Sequence, residues 1–76
     1  MIAYRDWDRD SGIVGYEYGS DWIEVEFRSG AQRFYKYTHV SAGQYHVEQM
    51  KILADNGDGL NAYINKHVAK SYETKR

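Results

Sequence analysis

Apolar and polar residues alternate up to about Thr38. From about Ser41 the apolar residues recur every three to four positions, so the chain divides into a strand-forming half and a helix-forming half. Residues 12–18 (Gly-Ile-Val-Gly-Tyr-Glu-Tyr) read as a first strand, and Gly19-Ser20 is a two-residue turn signal. The clearest alternation lies in residues 21–28, where Ile23, Val25 and Phe27 point one way and Trp22, Glu24, Glu26 and Arg28 the other. A two-residue loop opposes Tyr16 to Ile23 and Val14 to Val25. This predicts a core face of Val14, Tyr16, Ile23, Val25 and Phe27. Ser29-Gly30 marks the next turn, and residues 32–38 form a third strand. An even-length loop there places Phe34 on the core face and Arg33, Tyr35 and Tyr37 on the reverse, with Trp22, Glu24 and Glu26. An odd loop with a bulge exchanges the two sets. The even loop is preferred because it lets Arg33 meet a carboxylate.

The helical half opens at Ser41, where Ser41 and Gln44 have capping-box spacing and Val40 and Tyr45 the spacing of a hydrophobic staple. Val47, Met50, Leu53 and Ala54 share one side, with Tyr45 and Ile52 on an adjacent strip, and Asn56-Gly57 is a stop signal. A second helix begins near Asp58 or Asn61, either of which can cap it, and carries Leu60, Ile64, Val68 and Tyr72 as an apolar stripe. The tail from Glu73 is expected to fray. The predicted fold is α+β: a three-stranded antiparallel β-meander followed by two α-helices. It forms a single domain over residues 1–76, with residues 1–10 a loosely ordered extension.

Composition narrows the possibilities. A chain of 76 residues buries only about 60–65% of its unfolded surface. With no cysteine, neither a disulfide nor a thiolate metal site can supplement the core. That leaves the 16% aromatic content as the main resource. No apolar run is long enough to span a membrane, and Asp6, Asp8 and Asp10 make residues 1–10 unlike a signal peptide; a cytoplasmic protein is expected. The formal net charge of −1 exerts no general attraction for nucleic acid, although residues 31–76 are mildly basic.

The run Ile13-Val14-Gly15-Tyr16-Glu17, the run Ile23-Glu24-Val25-Glu26-Phe27-Arg28-Ser29-Gly30, and Tyr35-Lys36-Tyr37 followed by Val40 together resemble the KTSC domain family. So does the closing pattern Ile64, Asn65, His67, Val68 and Tyr72. That family is named for the C-terminal domain of some lysyl-tRNA synthetases and also occurs as short stand-alone bacterial proteins. The likeness covers roughly residues 12–72. The chain departs from the pattern by about two extra residues between Gly30 and Tyr35, about one extra helical turn after Tyr45, Ser41 in place of a proline, and Asp-Asn-Gly-Asp-Gly before the last helix. The resemblance implies a fold, and through the synthetase context an association with RNA.

Candidate chemistry is sparse. Tyr35 and Tyr37, set beside Arg28, Arg33 and Lys36, could stack bases and meet phosphates on an open sheet face. They could equally be cross-strand packing partners beneath the helices, and Glu24 and Glu26 on the same face would repel phosphate. Lys66, Lys70, Lys75 and Arg76, with His67, could contact a nucleic-acid backbone or simply be solvated. Trp22, with Tyr37, is the candidate for a protein interface. A homodimer through the exposed edge of the third strand is a further option. His39, His46 and His67 lack metal spacing, so no metal and no cofactor are expected. Asn65 is expected to be at least partly buried. No catalytic constellation stands out. The sequence predicts a small non-catalytic module that binds RNA, single-stranded or tRNA-like, or alternatively a protein partner.

Overall fold

The computed structural model describes residues 1–7 and 11–76. The described residues form an antiparallel sheet of five strands with the helices on one face. The strands are β1 (Ile2–Ala3), β2 (Ile13–Tyr18), β3 (Trp22–Phe27), β4 (Phe34–Thr38) and β5 (Thr74–Lys75), and they lie side by side in chain order. Between β4 and β5 come α1 (Gln44–Asn56) and α2 (Leu60–Tyr63), the latter continuing as a π-helical turn over Ile64–Val68. The α+β class and the central meander agree with the sequence reading, but the meander is extended at both edges. Ile2 pairs with Tyr16, and Tyr4 is buried in the core, so residues 1–7 are not a loose extension. Residues 8–10 lie outside the described residues. The tail does not fray either, since Thr74 and Lys75 pair with Lys36 and Tyr35. Two-residue strands carry too little pattern to be read from sequence.

Both registers differ from expectation. The β2–β3 turn is two residues longer than predicted, so Tyr18 faces Ile23 and Tyr16 faces Val25. The shift is even and keeps Tyr16, Ile23 and Val25 on the core face. A bulge between Ile13 and Gly15 then turns Ile13 inward, at 1% exposure, and Val14 outward, at 41%. Val14 is therefore not part of the floor beneath the helices; Ile13 takes its place. In the second hairpin Phe27 N–H donates to the Arg33 carbonyl, closing an odd, five-residue loop over Arg28–Gln32. Val25 faces Tyr35 and Ile23 faces Tyr37, so the two tyrosines lie on the helix side and Phe34 on the open side. The charge argument for the even loop fails because other cations reach the carboxylates. Lys36 pairs across the ladder with Glu24, and Arg76 grips both Glu24 carboxylate oxygens at 3.3 Å. The odd loop also buries two large rings where the even loop would bury one.

On the sheet's covered face Tyr4, Ile13, Tyr16, Ile23, Val25 and Tyr37 meet Val47, Met50 and Ala54 of α1 and Leu60, Ile64 and Val68 of the second helical segment. The expected apolar stripes of both helices are thus the buried ones, except that Tyr72 lies beyond the helix, packed edge-on against Tyr35. The opening of α1 differs. Thr38 and Ser41 exchange side-chain-to-backbone hydrogen bonds at 3.0 Å in the preceding turn, and Gly43, not Ser41, is the N-cap. No staple forms, and Val40 and Tyr45 are 96% and 69% exposed. Gly59 precedes the second helix without a side-chain cap, so neither Asp58 nor Asn61 performs that role. One flank of α1 is tied to the sheet by polar contacts. Tyr16 and Tyr18 hydroxyls donate to the two Asp55 oxygens at 2.7 Å, and Lys51 Nζ donates to the Ser20 carbonyl and to Glu48. Glu48 also meets His39 at 2.8 Å, and the Lys51 and His39 contacts hold its carboxyl below the usual range. No helix among the described residues is long and apolar enough to cross a membrane.

The stop signal at Gly57 behaves as expected: its φ is 74°, and its N–H donates to the Leu53 and Ala54 carbonyls. The N-terminal segment closes over it, with Trp7 N–H donating to the Gly57 carbonyl and Trp7 Nε1 to that of Asn56. A Cβ on Gly57 would lie 2.6 Å from Arg5 Cβ, whereas one on Gly43, at φ 97°, would meet nothing within 4 Å. Gly43→Ala therefore carries only backbone strain, about 1–2 kcal/mol, and Gly57→Ala carries that plus the displacement of Arg5. Urea unfolding of the two variants should show the larger loss for Gly57→Ala. Equal losses would mean that the N-terminal segment does not pack on the helix end.

Candidate nucleic-acid interface

The rings singled out in the sequence are mostly spent on structure. Tyr37 is 1% exposed, and burial raises its hydroxyl pKa well above the ordinary value. Tyr35 is half-buried between Phe27 and Tyr72, with both rings edge-on to it at centroid distances of 5.3 and 5.2 Å. Neither face of this pair is presented to solvent as a stacking platform, and Tyr37 is equally withdrawn from any protein interface. Arg33 is exposed at the end of the β3–β4 loop. Lys36 lies on the open sheet face with its ammonium 4.6 Å from the Trp22 ring centroid. Trp22 is on that face as expected but only half-exposed, its partner being Lys36 rather than Tyr37 or the N-terminal segment. Arg76 covers Phe34 at 4.7 Å, so the open face carries Glu17, Glu24 and Glu26 interleaved with its own cations. The edge of the third predicted strand is not free either. β5 covers it along Phe34–Lys36, and Glu73 and Arg76 add backbone hydrogen bonds.

Lys66 and Lys70 do remain exposed, and the structure sets beside them a ring cluster that the sequence reading did not assemble. Leu60, Ile64 and Val68 face the core, which turns Tyr63 and His67, four residues apart, toward the outside of the second helical segment. The first turns of α1 bring Tyr45 and His46 alongside. His46 Nδ1 and the Tyr63 hydroxyl are hydrogen-bonded at 2.7 Å. His46 and His67 stack with centroids 5.2 Å apart and planes 27° from parallel, Tyr63 lies 4.5 Å from His67, and Tyr45 meets His46 edge-on at 5.6 Å. Burial, with Tyr45 second, raises the Tyr63 hydroxyl pKa. Tyr45 is 69% exposed, His67 is exposed, and His46 and Tyr63 are half-buried. The four rings thus form a ladder across the two helices, part of it open to solvent. No carboxylate makes an ion pair within it among the described residues.

In comparisons with known proteins, no family model matches the chain, no curated protein matches it, and no solved structure matches it. What the ladder can do follows from its own chemistry. Imidazole and phenol rings offer flat π-faces to nucleobases, and the flanking lysines offer charge to phosphates. The two stacked histidines present ring faces to each other and do not converge on a shared ion. Among the described residues no three of His, Cys, Asp and Glu gather into a metal-holding group. Asn65 is exposed, contrary to expectation. The signal for the ladder was present in sequence as Tyr45-His46 and Tyr63-x-x-x-His67, both outside the apolar stripes. Nothing local indicated that the two helices would join them.

Proposed function

We propose that the protein is a small, non-catalytic, cytoplasmic module that binds single-stranded RNA on its helical face. The observation that carries this reading is the ladder Tyr45–His46–His67–Tyr63, with Lys66 and Lys70 exposed on the same helical segment. Bases stack on Tyr45 and His67, and the lysines neutralise the backbone between them. The resemblance to KTSC domains supports the same reading through the synthetase context of that family. The site first expected on the sheet moves to the opposite side of the molecule. There Lys66 and Lys70 keep the role proposed for them, while Arg33, Tyr35, Lys36 and Tyr37 drop out. The alternative, a protein interface, retains only the Trp22 side of the sheet, where Lys36 already occupies the indole.

A fluorescence titration with a labelled, unstructured RNA of about ten nucleotides at about 50 and about 200 mM salt tests the reading. Binding at the lower salt should weaken at the higher, and Lys66→Ala and Lys70→Ala should each flatten the salt dependence by about 0.7 in log–log slope. Tyr45→Ala and His67→Ala should each cost about 1–3 kcal/mol of affinity, the value of one lost base stack. Absence of binding at low salt, or binding indifferent to both ring substitutions, would overturn the proposal.

A further inference from the structure

A second concave site lies at the other side of the helices and is independent of the RNA reading. A cleft of about 610 Å³ runs between the β3–β4 loop and the π-helical turn, within the size range of small-molecule sites. Its apolar lining includes Phe27, Tyr35 and Tyr37, and its polar lining includes Gln32 and Asn65. Among the described residues Arg28 is the one charged residue along it, no carboxylate stands in the wall, and Arg28 makes no ion pair.

The deciding group is Tyr37. Other tyrosines close to the core use their hydroxyls: Tyr4 accepts from the Leu60 N–H, Tyr16 donates to Asp55, and Tyr63 is bonded to His46. Tyr37 is 99% buried, and its hydroxyl makes no hydrogen bond among the described residues. No side-chain oxygen or nitrogen among them is both sealed from solvent and unpaired. The sliver of Tyr37 that remains accessible therefore includes its hydroxyl, and Tyr37 lines the cleft. A buried tyrosine hydroxyl nearly always has a partner. Burial also keeps this one protonated, so it presents a hydrogen-bond donor to the cleft.

We propose that this cleft binds a small organic anion with an apolar body, with the Tyr37 hydroxyl donating to the anionic group, Arg28 balancing its charge, and Phe27 and Tyr35 forming the apolar wall. The anionic group is a carboxylate or a phosphate, since both accept from a phenol and pair with a guanidinium.

The test is a nitrogen-15 chemical-shift titration of the whole chain with 4-hydroxybenzoate, with uridine monophosphate, and with the neutral 4-hydroxybenzamide. Saturable shifts at Arg28, Gln32, Tyr35 and Asn65 with either anion support the site, and which anion binds tells carboxylate from phosphate. Tyr37→Phe should weaken that anion at least about tenfold, the loss of a hydrogen bond to a charged group. Its melting temperature should equal or exceed that of the parent, because a hydroxyl with no internal partner contributes nothing to the empty fold. Tyr45→Ala should leave anion binding unchanged, which separates this site from the RNA surface. Failure of both anions to shift the cleft residues would overturn the proposal. So would equal binding of the amide, or a Tyr37→Phe variant that melts lower than the parent.

Discussion

Leu60→Ala should remove about 2–5 kcal/mol of stability, the range for deleting a fully buried leucine side chain. Leu60 is 0% exposed, at the start of α2, where its N–H meets the Tyr4 hydroxyl at 3.3 Å and its side chain joins the central cluster. A domain of this length holds about 4–11 kcal/mol in total, so this one substitution consumes a large part of the margin. Each kcal/mol shifts the melting temperature of so small a domain by about 4–8 °C. The matching control is Ile52→Ala on the outer side of α1, 53% exposed, which should stay within about 0.5 kcal/mol of the parent. Thermal and urea unfolding of the pair decide the matter. If Leu60→Ala is as mild as Ile52→Ala, the packing of α2 on the sheet is wrong.

Alkaline pH should unfold the protein through its tyrosines. Burial and the hydrogen bond to Asp55 push the Tyr16 pKa up to about 12, from the ordinary value of 10.0. A group raised in the folded state contributes its full stabilisation below its unfolded pKa and loses it as pH climbs through the folded one. The contribution of Tyr16 is therefore intact at neutral pH and disappears between about pH 10 and pH 12. Two units would correspond to about 2–3 kcal/mol for a sealed group, but the Tyr16 hydroxyl ends at exposed Asp55, and solvent screening there reduces its contribution to about 1 kcal/mol. Tyr37, raised mainly by burial, adds to the loss in the same direction. Urea midpoints measured across that range should fall steeply for the parent. Tyr16→Phe should start about 1 kcal/mol lower and fall less steeply. A parent that keeps its full stability at about pH 12, or a Tyr16→Phe variant with an unchanged slope, contradicts this account.

Much of the architecture was legible in the sequence because several local signals agreed. The alternation of Ile23, Val25 and Phe27 fixed the polarity of β3, and the spacing of Val47, Met50 and Ala54 and of Leu60, Ile64 and Val68 identified the buried sides of both helices. Gly57 ended α1 where a left-handed residue was expected. What failed depended on counting residues through turns. One extra residue at the Val14 bulge exchanged Ile13 for Val14, and a five-residue loop after Phe27 carried Tyr35 and Tyr37 to the opposite side of the sheet. Aromatic content marks where area is buried as readily as where it is offered to a ligand. Tyr35 and Tyr37 looked like a platform, whereas Tyr45 looked like half of a helix-end staple and His67 like one member of a basic helix edge. Their juxtaposition rests on the packing of α1 against the second helical segment, which no short-range pattern specifies.

The strand order has an entropic consequence. Every strand lies next to its neighbour in the chain, so β2, β3 and β4 can pair by closing loops of only a few residues. The last pairing is different. β5 reaches β4 only after the whole helical excursion of residues 39–73, which costs about 1.5 kcal/mol more chain entropy than closing the β3–β4 loop. Loop entropy therefore favours the hairpins over the β4–β5 ladder in the unfolded chain, and that ladder depends on the helices having docked.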